Sequence, residues 1–206
     1  RTNGTTFIKA KKSRNHTELL CRYLNLPVTV LRKKNFDIIK IKKAKKIKPL
    51  NYNIPADISS AAFFIVLTCL KNNSSMTIKN VNINSSRIGV IIILKRMGAK
   101  IIFKNKRKYK GETIADIFVK GTNSLKPINC PENLNSSSID EFLLIFLLAA
   151  KANGVSFFKS LSELNKKESP RLKWGSKILN LMGIKTKLSN NSIKIFGNPK
   201  INIKKK

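Results

Sequence analysis

"AAFFIVLTCLKNNSSMTIKNV" (residues 61–81) and "EFLLIFLLAAKANGVSFFKSL" (residues 141–161) follow one pattern. Each is an apolar run of helical length, a short polar loop, then an alternating stretch of the kind that makes a strand. Phe63 and Phe142 occupy the same place in it, 79 residues apart. Further on, "RMGAKI" (96–101) matches "LMGIKT" (181–186), and in both a helix should stop at Met-Gly before a strand begins. Closing strands are expected at 114–120 and 192–196, so the repeated unit reads helix, strand, helix, strand, strand. Two of its helices, 60–70 and 139–150, are apolar nearly all round and are expected to be buried on every side. The other two, 86–97 and 170–182, carry charge on one face and should lie outside.

A partial third copy opens the chain: a strand at 5–10, a helix over 13–26 capped by Ser13 or Asn15, and paired strands at 28–33 and 36–43. The basic, proline-containing stretch 42–55 sets this copy apart, and a boundary is expected near Ile54. The polar segment 122–138 connects the second copy to the third. The fold class expected is a layered α/β (α+β) architecture of pseudo-symmetric repeats.

Across 206 residues, 42 Lys and Arg stand against 10 Asp and Glu, a formal charge of +32. Such a charge points first to nucleic acid, and a non-catalytic basic binding module is the alternative it raises. The lysines, however, are spread over strands, loops and tail, and do not alternate with aromatics as on a single-strand binding surface. The excess of Lys, Asn and Ile fits A+T-driven drift with a preference for anionic ligands, and nucleic acid is not the expected partner. Cys21, Cys69 and Cys130 lie far apart with no paired spacing, which argues for reduced thiols in the cytoplasm rather than a disulfide framework or zinc site. The apolar runs near 61–70 and 142–150 are about half of the roughly 20 residues a membrane-spanning helix needs. The chain opens on Arg1 rather than Met, which suggests a fragment or a processed product.

Acids are scarce, so those at helix entrances stand out. Asp140 and Glu141 sit in "SSSIDEF" before one apolar helix, and Glu168 sits in "NKKESPRL" before the next. Locally, capping by Asp140 and a surface ion pair of Glu168 with Lys167 or Arg171 account for them. Ser138 could cap alone, and for the later helix Ser169 could be N-cap with Pro170 its first residue. The repeat changes this balance. Both acids precede helices of one unit, so loops sharing an edge would bring Asp140, Lys167, Glu168 and Arg171 together. Two acids beside two cations suit proton transfer on an anionic substrate. Arg14 and His16, the only histidine, form a second cationic group at a helix start suited to phosphate. For His16, capping or packing is the favoured reading; for Arg87, surface or inter-repeat structure.

Taken together, "SRNHTE", "IPADISSAAF", "NSSRIGVIIILKRMGA", "SSIDEF" and "LNKKESPRL" resemble, in order and spacing, the 5-enolpyruvylshikimate-3-phosphate synthase (3-phosphoshikimate 1-carboxyvinyltransferase) family. Its bacterial patterns run RDHTE, PGDxSSAAF, RTG, IDE and LRVKESDR. The resemblance covers essentially the whole chain. It implies an inside-out α/β barrel of βαβαββ units, three in each of two domains, with residues 1–54 ending one domain and 55–206 forming two units of the other. It implies transfer of the enolpyruvyl group of phosphoenolpyruvate to the 5-hydroxyl of shikimate 3-phosphate by addition and elimination, in the shikimate pathway of aromatic amino acid biosynthesis. No cofactor and no metal are implied, and the complete protein is expected to be a cytoplasmic monomer.

By the same resemblance, Asp140 is the base for the 5-hydroxyl and Glu168 handles the proton at the phosphoenolpyruvate methylene carbon. Lys167 and Arg14 bind shikimate 3-phosphate, and Arg171 binds the phosphoenolpyruvate anion. Asn15, Ala56, Asn165, Lys166 and Pro170 depart from the pattern without removing an assigned group. The family's N-terminal Lys-Ser-Arg loop, its NSGT-type loop, the Ser-x-Gln segment, the late DHR arginine and the C-terminal lysine have no counterpart here. This chain alone is therefore expected to be inactive or nearly so, a fragment or a pseudoenzyme of the same fold.

Overall fold

The structure is a computed structural model that describes residues 4–201. The first unit is β1 (Thr5–Lys11), α1 (His16–Tyr23), β2 (Val28–Arg32) and β3 (Phe36–Lys42). The second is α2 (Ile58–Leu70), β4 (Ser75–Asn82), α3 (Gly89–Arg96), β5 (Lys100–Tyr109) and β6 (Glu112–Lys120). The third is α4 (Phe142–Lys151), β7 (Val155–Phe158), α5 (Arg171–Leu181), β8 (Thr186–Leu188) and β9 (Ile193–Phe196). Each unit builds one three-stranded antiparallel sheet, and in all three the last strand is central: β1-β3-β2, β4-β6-β5 and β7-β9-β8.

The sequence pattern lacks a strand before α2 and α4, and the structure supplies a stub of one. Ala56 bridges Val81 in parallel, and Asn129 bridges Phe157 in the same way. Around Ala56 its N–H donates to the Asn80 carbonyl at 3.0 Å while Asn82 N–H donates back at 2.9 Å. With these stubs the second and third units are each βαβαββ. The segment 122–138 is thus more than a connector, since it carries the Asn129 bridge and two short 3-10 turns, Glu132–Leu134 and Ser136–Ser138.

Both expected Met-Gly stops are present. Gly98 and Gly183 have φ of +93° and +82°, and the next residue closes a six-to-one hydrogen bond, Ala99 to Leu94 and Ile184 to Leu179, each 2.9–3.0 Å. The core lies between α2, α4 and the second and third sheets. At its centre Phe142, Phe146 and Phe158 have ring centroids 5.1–6.1 Å apart.

Several local expectations are corrected. α2 is not covered on all sides: Phe63, Phe64 and Leu67 are 63%, 54% and 63% exposed. They form one stripe, and the helix packs through its opposite face, which includes Ile58, Ala62, Ile65 and Cys69. α4 begins at Phe142 rather than near residue 139, because residues 136–138 make a 3-10 turn in which the Ser138 hydroxyl donates to the Leu134 carbonyl at 2.6 Å. Ser138 is therefore no cap. α5 begins at Arg171 with Pro170 as N-cap and no side-chain cap. α1 spans fewer residues than expected, and Asn15 at its N-cap position makes no capping bond. Lysines do meet aromatic rings, for example Lys40 on Phe7, Lys104 on Phe118 and Lys194 on Phe157, but these contacts are scattered over all three sheets.

No described residue before Ile58 is buried. No helix among the described residues is long and apolar enough to cross a membrane. The glycine stops give a paired test. Gly183→Ala should cost about 1–2 kcal/mol from left-handed strain alone. Gly98→Ala should cost more, because its added Cβ would also lie 3.1 Å from the Ser124 carbonyl oxygen. Urea midpoints of the two variants check this order.

Candidate active site

The burial of α4 fixes where its entrance points. Phe142, Ile145 and Phe146 anchor the first turns in the core, so the preceding residue pair is held in place: Glu141 faces inward, 2% exposed, and Asp140 faces the surface loop. Asp140 does not cap the helix. Its Oδ1 accepts from Lys167 Nζ and from Arg171 Nη1, both at 3.4 Å, and its Oδ2 is bonded by Arg14 Nη2. Three elements meet here: Arg14 precedes α1, Lys167 ends the 3-10 turn Ser162–Lys166, and Arg171 opens α5.

Glu168 lies at the rim with its side chain 83% exposed, and accepts from Arg171 Nη2 at 3.1 Å. Arg171 thus bridges the two acids. The five residues singled out in the sequence converge on one patch, in which three cations face two carboxylates. The surplus is positive, as an anion site requires. Arg14, expected as a second, separate cationic group, belongs to the same patch.

Burial lifts the Asp140 carboxyl, but the Arg14 hydrogen bond and the charges of Lys167 and Arg14 outweigh it and hold the group below the usual carboxylate range. A hydrogen bond from its own backbone N–H, joined by the Arg171 charge, holds Glu168 low as well. Both are therefore ionised at neutral pH. Glu141 is the opposite case. Burial pushes it above its ordinary value, against a hydrogen bond from the Ser59 hydroxyl and the nearby charge of Arg87. Adjacent carboxyls in the chain are thus set to different proton affinities, one by cations and one by apolar surroundings.

Behind Glu141 lies a network that the sequence did not mark as one. Ser59 connects α2 to Glu141, and Arg87 holds both Ser59 and Asp57, the latter at 3.2 Å. Asp57 in turn caps α2 by accepting from Ser60 N–H at 2.9 Å. Surface or inter-repeat structure was expected of Arg87; its side-chain hydrogen bonds instead tie the loop before α3 to the entrance of α2 within the second unit. His16, for which capping or packing was favoured, is no cap; its Nδ1 lies 2.5 Å from Oε1 of the buried Glu112. The available signal for both was scarcity, since a buried acid among ten in so basic a chain needs a specific partner. No group of three or more His, Cys, Asp and Glu side chains able to hold a metal ion occurs among the described residues.

The buried acid gives a pH test with a definite sign. A carboxyl raised in the folded state lowers stability as pH climbs through its unfolded value, near 4.3 for Glu. Glu141→Gln keeps an acceptor for Ser59 and removes that cost. The variant should be more stable than the parent at pH 7, and the gain should vanish as pH falls below about 4. Thermal unfolding at a series of pH values measures it.

A family model described as "EPSP synthase (3-phosphoshikimate 1-carboxyvinyltransferase)" matches residues 1–204. Among curated relatives, a 3-phosphoshikimate 1-carboxyvinyltransferase of Thermodesulfovibrio yellowstonii is 36% identical over 194 residues, covering 94% of this chain and 44% of the relative. One of Staphylococcus aureus is 38% identical over 193 residues, covering 93% of this chain and 44% of the relative. The solved EPSP synthase of Acinetobacter baumannii superposes with a TM-score of 0.87 at 36% identity, covering 96% of this chain and 44% of that one. The enolpyruvyl transferase NikO of Streptomyces tendae, at 14% identity and a TM-score of 0.64 over 96% of this chain and 43% of that one, shares the fold. The chain spans less than half the length of these relatives. With one family model over nearly its whole length and the same fold in the solved relative, it belongs to the EPSP synthase (3-phosphoshikimate 1-carboxyvinyltransferase) family.

Proposed function

We propose that the intact protein transfers the enolpyruvyl group of phosphoenolpyruvate to the 5-hydroxyl of shikimate 3-phosphate, and that this chain contributes one side of the site. The single observation that carries the reading is Asp140 under Arg14, Lys167 and Arg171, with Glu168 on the far side of Arg171. Both substrates are polyanions with little to bind except charge and hydroxyls, and such a patch supplies cations with a carboxylate among them.

In this reading Asp140 accepts the 5-hydroxyl proton as that oxygen attacks the central carbon of phosphoenolpyruvate. The methylene carbon takes up a proton from Glu168 and becomes a methyl group. In the second step phosphate leaves, and the methyl group returns a proton to Glu168 to restore the double bond. The cations around Asp140 favour its ionised form, as a base needs. In the free protein the backbone N–H bond, joined by the Arg171 charge, holds Glu168 ionised; once Arg171 engages the phosphoenolpyruvate anion, its share of that hold is withdrawn and the proton affinity of Glu168 rises. Lys167 and Arg14 bind shikimate 3-phosphate.

We place residues 1–54 at the end of one domain and 55–206 in the other, as two of its units. The bare stripe of Phe63, Phe64 and Leu67 on α2 fits an incomplete second domain. Cytoplasmic location as a monomer is part of the same proposal. Free Cys21, Cys69 and Cys130 agree with a reducing compartment, and burial pushes the thiols of Cys69 and Cys130 up to about 11, where they are inert.

Asp140→Asn and Glu168→Gln in the intact protein should each lower kcat about 10²–10⁴-fold while shikimate 3-phosphate still binds. Phosphate release from phosphoenolpyruvate, assayed with shikimate 3-phosphate, reads the effect; undiminished turnover in either variant contradicts its role.

A further inference from the structure

Three consecutive side chains at the start of α1 reach three separate elements. Arg14 pairs with Asp140 before α4. The Asn15 side-chain oxygen accepts from Asn84 Nδ2, at 2.8 Å, in the loop before α3. His16 pairs with Glu112 at the start of β6. Only the first of these contacts meets a group of the proposed reaction. We infer that the other two, with the β5–β6 turn Tyr109, Lys110, Gly111 and Glu112, form a clasp that sets the angle of the first unit and so delivers Arg14 to Asp140. His16, Asn84 and Glu112 are then positioning residues. The inference rests on the proposed function for its catalytic consequence, though not for its geometry.

Four observations carry it. Glu112 is 7% exposed in its side chain, and both its oxygens are engaged: His16 takes Oε1, and Asn84 Nδ2 donates to Oε2 at 3.0 Å. The rotamer of Asn84 is held in turn, because its oxygen accepts from the N–H and hydroxyl of Ser86, both at 2.8 Å. A buried, fully engaged carboxylate leaves little freedom to its partners.

Gly111 is required twice over. Its φ is +90°, and a Cβ there would stand 2.7 Å from the Leu19 carbonyl oxygen and 3.2 Å from Tyr23 Cβ, both in α1. The turn seats against α1 because it has no side chain at that point. On the turn's other side, Lys110 bonds the Asn51 carbonyl, Asn53 N–H donates to Tyr109 Oη at 3.1 Å, and the Tyr52 and Tyr109 rings lie 5.5 Å apart. One four-residue turn therefore grips both α1 and the segment that leads out of the first unit.

Finally, no described residue before Ile58 is buried. Packing against the second and third units buries none of its side chains, so directional contacts set the angle between them. Arg14 is two residues from His16, about 7 Å of extended chain at most. A small rotation at the clasp moves the guanidinium off Asp140.

The test uses the intact protein with Cys21 changed to serine and spin labels on Lys34→Cys and Lys177→Cys, both exposed, one in the first unit and one on α5. The expected result is a narrow distance distribution that broadens in His16→Ala and in Gly111→Ala with circular dichroism unchanged. His16→Asn, which restores a donor near the same place, should narrow it again. kcat/KM should fall about a hundredfold in the two broadened variants and recover in His16→Asn. A distribution that stays narrow in both His16→Ala and Gly111→Ala overturns the clasp. Broadening with undiminished kcat/KM upholds the clasp and contradicts instead the assignment of Arg14 and Asp140 to the reaction.

Discussion

The Asp140 carboxylate is the point on which the arrangement depends. Arg14, Lys167 and Arg171 come from three different elements, and in a chain of net charge +32 all three meet at this one carboxylate. Like charges at such spacing repel by several kcal/mol at an intermediate dielectric unless a counter-charge stands between them. Asp140 provides it, and can do so because α4 is rooted in the phenylalanine cluster and cannot swing. The most apolar part of the fold thus fixes its most polar site. In the proposed reaction a ligand anion with a hydroxyl shares these cations and leaves the carboxylate free to take a proton.

Around this point the repeat provides a scaffold with a built-in asymmetry. In the second unit the central strand carries Asp116, which accepts from Asn80 N–H at 2.8 Å and from Asn105 Nδ2 at 2.7 Å. Those hydrogen bonds hold the Asp116 carboxyl low, and Asn80 and Asn105 adopt left-handed φ of +54° and +50°. Both outer strands shift register at these asparagines. Bulges of this kind bend and twist a sheet locally, and beyond them the β5–β6 hairpin runs on to meet α1. Corresponding shifts do not occur in the pairing of the third sheet, whose strands are shorter.

Much of this was legible in the sequence because it rests on local pattern. Helix–strand alternation, the two Met-Gly stops and the boundary residues of most strands follow from periodicity and from the left-handed preference of glycine. Convergence of Asp140, Lys167, Glu168 and Arg171 followed from loops of one unit sharing an edge. What was not legible depends on long-range partners. Apolar content in α2 cannot say that Phe63, Phe64 and Leu67 face away from α4, since hydrophobicity all round a helix is blind to which side is covered. Capping rules placed Ser138, Ser169 and Asn15 at helix entrances, but Ser138 turns back to Leu134 and Asn15 turns to Asn84. The pairs His16–Glu112 and Ser59–Glu141 join residues 96 and 82 positions apart, a separation at which no local signal survives.

On the proposed reading one anion site is assembled across the first and third units, and a phosphorylated ligand is held by residues from both. Calorimetric titration of shikimate 3-phosphate into the intact protein and into Arg14→Ala and Lys167→Ala tests it most directly. Binding at one site per chain, weakened about tenfold or more by either substitution, as expected for losing one charge-assisted contact of about 1.5–3 kcal/mol, is the predicted result. Unchanged affinity in both variants would contradict the account.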